Sequence, residues 1–417
     1  MSQPPSPSGA AALFGPGPFR LFWTARFLDL LAVPMQAVTL AWQVYQIARD
    51  HLHLSVEQAA LQVGIVGLAQ FLPLFALTLN AGAAADRTDR RLIMGLCIGV
   101  EMVSVIVLAA LTAGGLRTLW PIFALAAVFG AARAFFNPAS TALAPMLVPR
   151  ELLPRAIAWN AINWQAAAII GPAVGGLLCA VSPALSYAVV AGLYALSLLF
   201  LLAMRANTRP EPRHESRVAL IKEGIAYVWR EKIVLGATSL DLFAVLLGGA
   251  TALLPVYARD VLHVGPTGFG VLRSAPAVGA TAVAGWLAFR PLRRHAGPMM
   301  FTGVAVFGLA TIVFALSKVM ALSLVALVVL GGADMISVYV RQTLIQLVTP
   351  DPMRGRVAAV STLFVGASNE LGEFESGVIA RFLGPVGAAL FGGIGALVVT
   401  GLWARLFPSL RKADRLV

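Results

Sequence analysis

Gly82–Arg91 reads GAAADRTDRR. Two acids and three arginines fall within the six residues Asp86–Arg91, and an apolar run long enough to cross a bilayer lies on either side. The positive-inside rule accounts for the arginines. It accounts neither for the acid before them nor for the glycine four residues ahead of that acid.

Composition points the same way. The chain has 417 residues, of which 59% are hydrophobic and 12% charged, against roughly 25% charged in soluble domains. Its mean hydropathy is +0.83. A single water-soluble domain has no use for that much apolar surface, so the reading is a multi-pass membrane protein. The net charge of +12 is no nucleic-acid signature, because the excess lies in loops, where it sets topology. Both cysteines, Cys97 and Cys179, fall inside apolar runs, which excludes a disulfide framework and leaves no metal-ligand spacing.

Twelve apolar segments follow a Pro-, Ser- and Gly-rich start: 20–47, 59–81, 92–114, 118–140, 156–181, 184–204, 233–258, 267–289, 297–317, 320–344, 356–380 and 384–407. Each is long enough for ~30 Å of hydrocarbon at ~1.5 Å per residue. Of the 31 Lys and Arg, only Arg49, Arg117, Arg259, Lys318 and Arg381 fall in external loops when the N-terminus is placed inside. Both termini are therefore expected in the cytoplasm. The expected organisation is a disordered leader at 1–18, a six-helix bundle at 19–204, a cytoplasmic linker at 205–232, a second six-helix bundle at 233–407 and a tail at 408–417. Apolar residues at helical spacing in the linker (Val218, Ile221, Ile225, Val228, Trp229) predict an interfacial helix.

The halves repeat. LDLLAV at Leu28–Val33 returns as LDLFAV at Leu240–Val245, and Val44-Tyr45 returns as Val256-Tyr257. GAAADRTDRR returns as GWLAFRPLRR at Gly285–Arg294, with Phe289 in place of Asp86. LVPRELLPR from Leu147 is echoed by LVTPDPMRGR from Leu347. Three echoes in order, at slowly shrinking offsets, indicate an old duplication.

Gly82, Asp86, Arg87, Arg90 and Arg91 fall on the loop motif between helices 2 and 3 of the major facilitator superfamily, which the chain resembles. Asp89 stands where that motif has glycine, so the turn cannot use glycine's backbone freedom there. The resemblance implies an all-α membrane protein with twelve transmembrane helices in two pseudo-symmetric six-helix bundles. It also implies that Asp86 faces the N-terminal end of span 11 near Gly355 and helps to close the cytoplasmic side. GPAVGG, with Gly171, Pro172, Gly175 and Gly176, resembles the Gly-Pro motif in helix 5 of drug:proton antiporters. There Pro172 removes a backbone donor and the glycines allow close helix approach. FFNPASTALAPMLVP at Phe135–Pro149, NELGEFESG at Asn369–Gly377 and the closing LFPSLRKADRL make the whole chain similar to the bacterial enterobactin-exporter and macrolide-efflux group.

Charges within the spans are costly and therefore informative. Asp29, Glu101, Asp241, Asp334, Glu370 and Glu373 are the candidate proton-coupling acids; Glu375 lies beside the last two. Arg26, Arg133, Arg273 and Arg341 are the available counter-charges. Asp29 ranks first, at ~15 Å depth and duplicated as Asp241. Burial makes the charged form of a carboxyl costly, so such a group can load and release protons.

The expected function is secondary transport by alternating access in a bacterial cytoplasmic (inner) membrane. It exports an amphipathic small molecule, of siderophore, macrolide-like or lipid-like type, against inward proton flow. A proton-coupled symporter importing a metabolite is the second reading. A membrane-embedded enzyme would need a nucleophile–base or metal constellation, and the five histidines, His51, His53, His214, His263 and His295, all read as loop residues. A sensor would need a signalling domain, and a primary pump a phosphate-binding loop. No catalytic residue, cofactor or metal is expected. The expected partners are substrate, protons and the lipid bilayer, without nucleic acid, and the chain is expected to act as a monomer.

Overall fold

The computed structural model describes residues 13–15, 17–206, 208–209, 217–292 and 294–414. Among them, regular structure is helical throughout. The first half holds α1 (Pro18–Gln46), α2 (Val56–Arg87), α3 (Arg90–Ala113), α4 (Trp120–Leu143), α5 (Leu153–Val181) and α6 (Pro183–Ala203). The linker forms α7 (Arg217–Arg230). The second half holds α8 (Lys232–Leu247), α9 (Gly265–Phe289), α10 (Ala296–Leu316), α11 (Met320–Val348), α12 (Asp351–Leu406) and the short α13 (Pro408–Arg411).

Eleven of the described helical stretches are long and apolar enough to cross a membrane. The last of them, Phe364–Leu406, is two crossings, because Gly384 leaves helical geometry at φ 72° and ψ 166°. Glycine tolerates that left-handed backbone at no steric cost, and Pro385 behind it cannot return an N–H to the preceding turn. The count of twelve follows. The chain ends of α1 and α8 differ from the expectation: α1 runs on as a π-helical turn, Ile47–His51, which takes His51 and Arg49 out of the loop. Beyond α8, a 3-10 turn (Ala250–Leu253) and a single helical turn (Leu254–Val256) lead into a second π-helical turn, Tyr257–Val261.

The chain forms two compact units. The first takes in the described residues of 1–39, 72–116 and 125–214; the second takes in 40–71, 117–124 and the described residues of 215–417. The far ends of α1 and α2 thus pack with the second half of the chain. In the first unit, α3 packs on α6, and α1 meets α5 at Pro34 and Met35. In the second, α8, α10 and α11 close around Leu240, Val304, Val340 and Leu344, all buried.

Segments expected outside the bundles are partly packed. Phe14 stands edge-on to Trp23 and Trp159 at centroid distances of 5.1 and 5.0 Å. In the tail, Leu410 is buried, and Gly297 N–H donates to Ala413 O at 2.9 Å, which satisfies an orphan donor at the start of α10. The linker helix α7 splits its apolar stripe. Val228 is buried against Val357 and Val360, and Tyr227 Oη donates to Val348 O at 3.1 Å, while Trp229 stays exposed. The Gly-Pro stretch of α5 packs on α1 rather than on lipid. A Cβ on Gly171 would lie 2.4 Å from Pro34 Cγ, and one on Gly175 would lie 2.8 Å from Met35 Cα.

A side chain at Gly175 must therefore push two backbones apart, and overpacking of this kind costs about 1–3 kcal/mol. Gly175→Leu is expected to lower the unfolding midpoint in detergent by several degrees and to abolish transport. Gly192→Leu on α6, where nothing lies within 4 Å, is expected to be neutral. Paired thermal melts at equal expression check both.

Candidate functional site

Arg133 is the centre of the first unit's charge cluster. It sits mid-α4, and its guanidinium donates to Asp29 through Nη1 at 3.2 Å and Nη2 at 3.1 Å. Its Nε lies 3.0 Å from Glu101 Oε1 on α3. Asp29 and Glu101 are both fully buried. Arg26, one turn before Asp29, adds a second cation at 3.7 Å. Phe129 and Phe136 present ring faces to the Arg133 guanidinium at 5.2 and 4.9 Å, which favours a cation where water is excluded. Two guanidiniums thus balance two carboxylates, and burial of the group is tolerated only because it is paired. The carboxylates are not equivalent. Asp29 has a bidentate partner and a second cation, whereas both Glu101 oxygens lack a well-directed hydrogen bond.

The second unit repeats the device. Arg341 on α11 lies 3.3 Å from Asp241 on α8, with both side chains 4% exposed. Asp334 and Ser337 line a very small cavity next to Asp241. The duplication of Asp29 as Asp241 is legible in the sequence, but the duplication of its partner is not. The echo that aligns Leu147 with Leu347 puts Ala333, not Arg341, opposite Arg133. The two halves share an ion pair, not a register. A third group joins α9 to α12: Arg273 donates to Glu373 at 3.0 Å and to Thr251 O at 3.1 Å in the broken end of α8. Glu370 shares the helix face of Glu373 at i, i+3. Glu375 Oε2 is buried without a hydrogen-bond partner.

The stretch Gly82–Arg91 is mostly helix. Gly82–Arg87 are the last turns of α2, and only Thr88 and Asp89 interrupt before α3, so the turn is far shorter than the charges suggest. Asp89 adopts φ −54° and ψ 117° and caps α3, its carboxylate accepting from Arg91 N at 2.9 Å. An N-cap has no need of left-handed backbone, which explains an acid where the motif has glycine. Arg90 donates to Ala85 O at 3.2 Å and to Ala142 O at 2.8 Å. Arg91 donates to Leu201 O at 3.0 Å and to Leu202 O. These carbonyls terminate α2, α4 and α6, where cations complement the helix dipole. Asp86 is half-buried and Arg87 exposed.

A cavity of about 340 Å³ opens beside Arg26, lined by Phe22, Leu30, Thr141, Asn160 and Trp164 among others. Arg26 Nη1 and Asn160 Oδ1 are both buried there without a hydrogen-bond partner. The sequence singled out Arg26 but not Asn160 or Trp164, since one amide and one aromatic in an apolar helix carry no spacing signal.

The Arg133 cluster makes a stability prediction. Arg133→Met leaves two buried carboxylates without their guanidinium and is expected to cost about 3–5 kcal/mol. Adding Asp29→Asn should recover part of it. Thermal unfolding of the single and double variants in detergent checks the sign.

The comparisons agree with this architecture. Residues 8–416 match the family described as transmembrane secretion effector. The multidrug efflux pump Tap of Mycobacterium tuberculosis (strain ATCC 25618 / H37Rv) is 31% identical over 93% of this chain and 94% of its own length. The enterobactin exporter EntS of Escherichia coli (strain SMS-3-5 / SECEC) is 26% identical over 94% and 92%. The crystal structure of a D-xylose-proton symporter superposes with a TM-score of 0.72 at 12% identity, covering 94% of this chain and 98% of that one, and shows the shared fold. Twelve crossings and near full-length matches to transporters, not enzymes, lead to one assignment: this chain belongs to the transmembrane secretion effector family of the major facilitator superfamily, a multi-pass, exporter-like membrane transporter.

Proposed function

We propose that the protein exports amphipathic, drug-like molecules from the bacterial cytoplasm in exchange for protons, rocking two bundles by alternating access. The observation that carries this reading is the asymmetry of the Arg133 cluster. One guanidinium serves two carboxylates, and it commits both Nη atoms to Asp29. Glu101 can therefore take a proton without breaking the bidentate pair, and release it again while Nε stays near. This moves the choice of proton carrier from Asp29, ranked first from sequence, to Glu101, with Asp29 holding the arginine in place.

Exchange requires that proton and substrate exclude each other. A cationic amphiphile in the cavity beside Arg26 raises the local positive charge and drives the proton from Glu101. Phe22, Leu30 and Trp164 supply apolar surface, and Asn160 Oδ1 supplies an acceptor. A multidrug pump among the relatives fits such a substrate. Arg26 Nη1, 3.7 Å from Asp29 but without a hydrogen-bond partner, favours a second reading, in which a substrate acceptor or anion binds there. Negative charge would favour proton uptake, and the coupling becomes symport, with substrate and proton entering together. The sign of the proton change separates the two. Adding ethidium to purified, weakly buffered protein is expected to release protons from the wild type and none from Glu101→Gln. Uptake of protons would reverse the assignment.

In proteoliposomes, Glu101→Gln should abolish uphill ethidium transport driven by a pH gradient while downhill exchange survives. Unchanged uphill transport would shift coupling to Asp29, Asp241, Asp334, Glu370 or Glu373. If every one of these acids proved dispensable, proton exchange itself would be wrong. For the stretch Gly82–Arg91, the reading is a cytoplasmic gate in which Asp86 is the essential acid. Asp86→Asn is expected to cut transport at least tenfold at equal membrane abundance. Phe289→Ala, at the equivalent place in the second half, should have a smaller effect.

A further inference from the structure

The ends of α1 and α8 that lie opposite the chain termini carry the same tripeptide. Ala48-Arg49-Asp50 recurs as Ala258-Arg259-Asp260, and each copy lies in a π-helical turn, Ile47–His51 and Tyr257–Val261. The copies close identically. Leu52 N–H donates to Ile47 O at 3.0 Å and Leu54 N–H to Ala48 O at 2.9 Å; Leu262 N–H donates to Tyr257 O at 2.7 Å and Val264 N–H to Ala258 O at 2.8 Å. His53 and His263 end the turns with φ 50° and φ 54°. Non-glycine residues rarely adopt that backbone, so its appearance at both places marks a conserved shape within the chain. The tyrosines that the sequence pairs are not equivalent in this frame: Tyr45 points to the other copy, while Tyr257 donates to Ala315 O at 2.9 Å.

The two copies sit in the same compact unit and pair crosswise. Arg259 donates to Asp50, through Nη1 at 3.3 Å and through Nη2. Arg49 Nη2 lies 3.9 Å from Asp260 Oδ1, and Tyr45 Oη donates to Asp260. The Arg259 guanidinium covers the Tyr45 ring at 5.8 Å. Adjacent residues on a helix do not face each other, so neither Arg–Asp dipeptide can satisfy itself. Two such dipeptides related by a two-fold can satisfy each other, as in an isologous interface. Two turns before Arg49, Trp42 stacks on Phe269 at 6.2 Å. Beside them α2 meets α12 so closely that a Cβ on Gly64 would lie 3.0 Å from Gly377 Cα.

We infer that the twin Arg–Asp turns are a reciprocal latch that gates the transport path at the external face. The pairs are a quarter to two-fifths exposed, with side-chain exposures of 27% and 24% for Arg49 and Asp260 and 27% and 42% for Arg259 and Asp50. Ion pairs at such sites are individually weak, and a gate that must open in every cycle needs contacts of this strength rather than a buried bond. The π-helical turns fit the role, since the extra residue re-aims Arg and Asp toward the partner copy, and such bulges cluster at functional sites.

The test uses a reporter cysteine behind the latch, Ala60→Cys, in full-length protein with Cys97→Ala and Cys179→Ala. Ala60 is buried. A membrane-impermeant maleimide is applied to right-side-out and inside-out vesicles without substrate. Slow labelling from outside is expected with the native latch. Asp50→Asn with Asp260→Asn should accelerate it several-fold. The crosswise reversal Asp50→Arg with Arg259→Asp should return it to the slow rate. Labelling that the neutral variants leave unchanged, or that stays fast in the reversal, would overturn the latch. The reversal also answers for folding, because it keeps every charge. The readout involves neither substrate nor protons, so it stands or falls apart from the exchange mechanism.

Discussion

A guanidinium in a hydrocarbon layer must bring its own anions, and that requirement organises the first unit. Arg133 gathers Asp29 from α1 and Glu101 from α3, and Asp29 gathers Arg26. Three helices are thereby held at a common depth by groups that none could bury alone. The same requirement recurs with Arg341 and Asp241 between α11 and α8. Close helix packing then follows where side chains vanish, as at Gly171 and Gly175 against Pro34 and Met35. Lipid offers no hydrophobic drive for helices to associate, so shape and polar pairing carry the work.

Charges near the membrane faces obey a different rule. Arg90 and Arg91 terminate helices by taking up the orphan carbonyls of α2, α4 and α6. The most conspicuous part of the chain thus does two jobs. Its arginines and Asp89 are joinery, and the proposed gating role rests on Asp86. In the two π-helical turns, Arg49, Asp50, Arg259 and Asp260 pair crosswise, because neighbours on one helix cannot pair with each other.

Much of this was readable before any coordinates. Asp29 and Asp241 are visible as a duplicated acid, and the twelve apolar runs correspond to the helices, with the Gly384-Pro385 break where two runs meet. The Ala-Arg-Asp duplication was equally present in the letters. It passes unnoticed because Arg49 and Arg259 look like ordinary loop charges until both turns are seen to be π-helical. Asp89 looks like a defect in a glycine motif until its φ of −54° shows an N-cap.

What the sequence by itself determined is the class of solvent and the number of crossings. Hydropathy and length are local sums along the chain, and hydrocarbon tests them directly. The duplication and the inventory of costly charges belong to the same level. Only the tertiary structure decided which charge neutralises which. Arg133 chose Asp29 and Glu101, and Arg341 found Asp241 from a different register, because partners are set by depth and rotation of packed helices rather than by separation along the chain. That is why both Glu101 oxygens are left without a hydrogen bond while Asp29 holds a bidentate one, and why Arg49 and Asp260, on helices from opposite halves of the chain, came to share an ion pair.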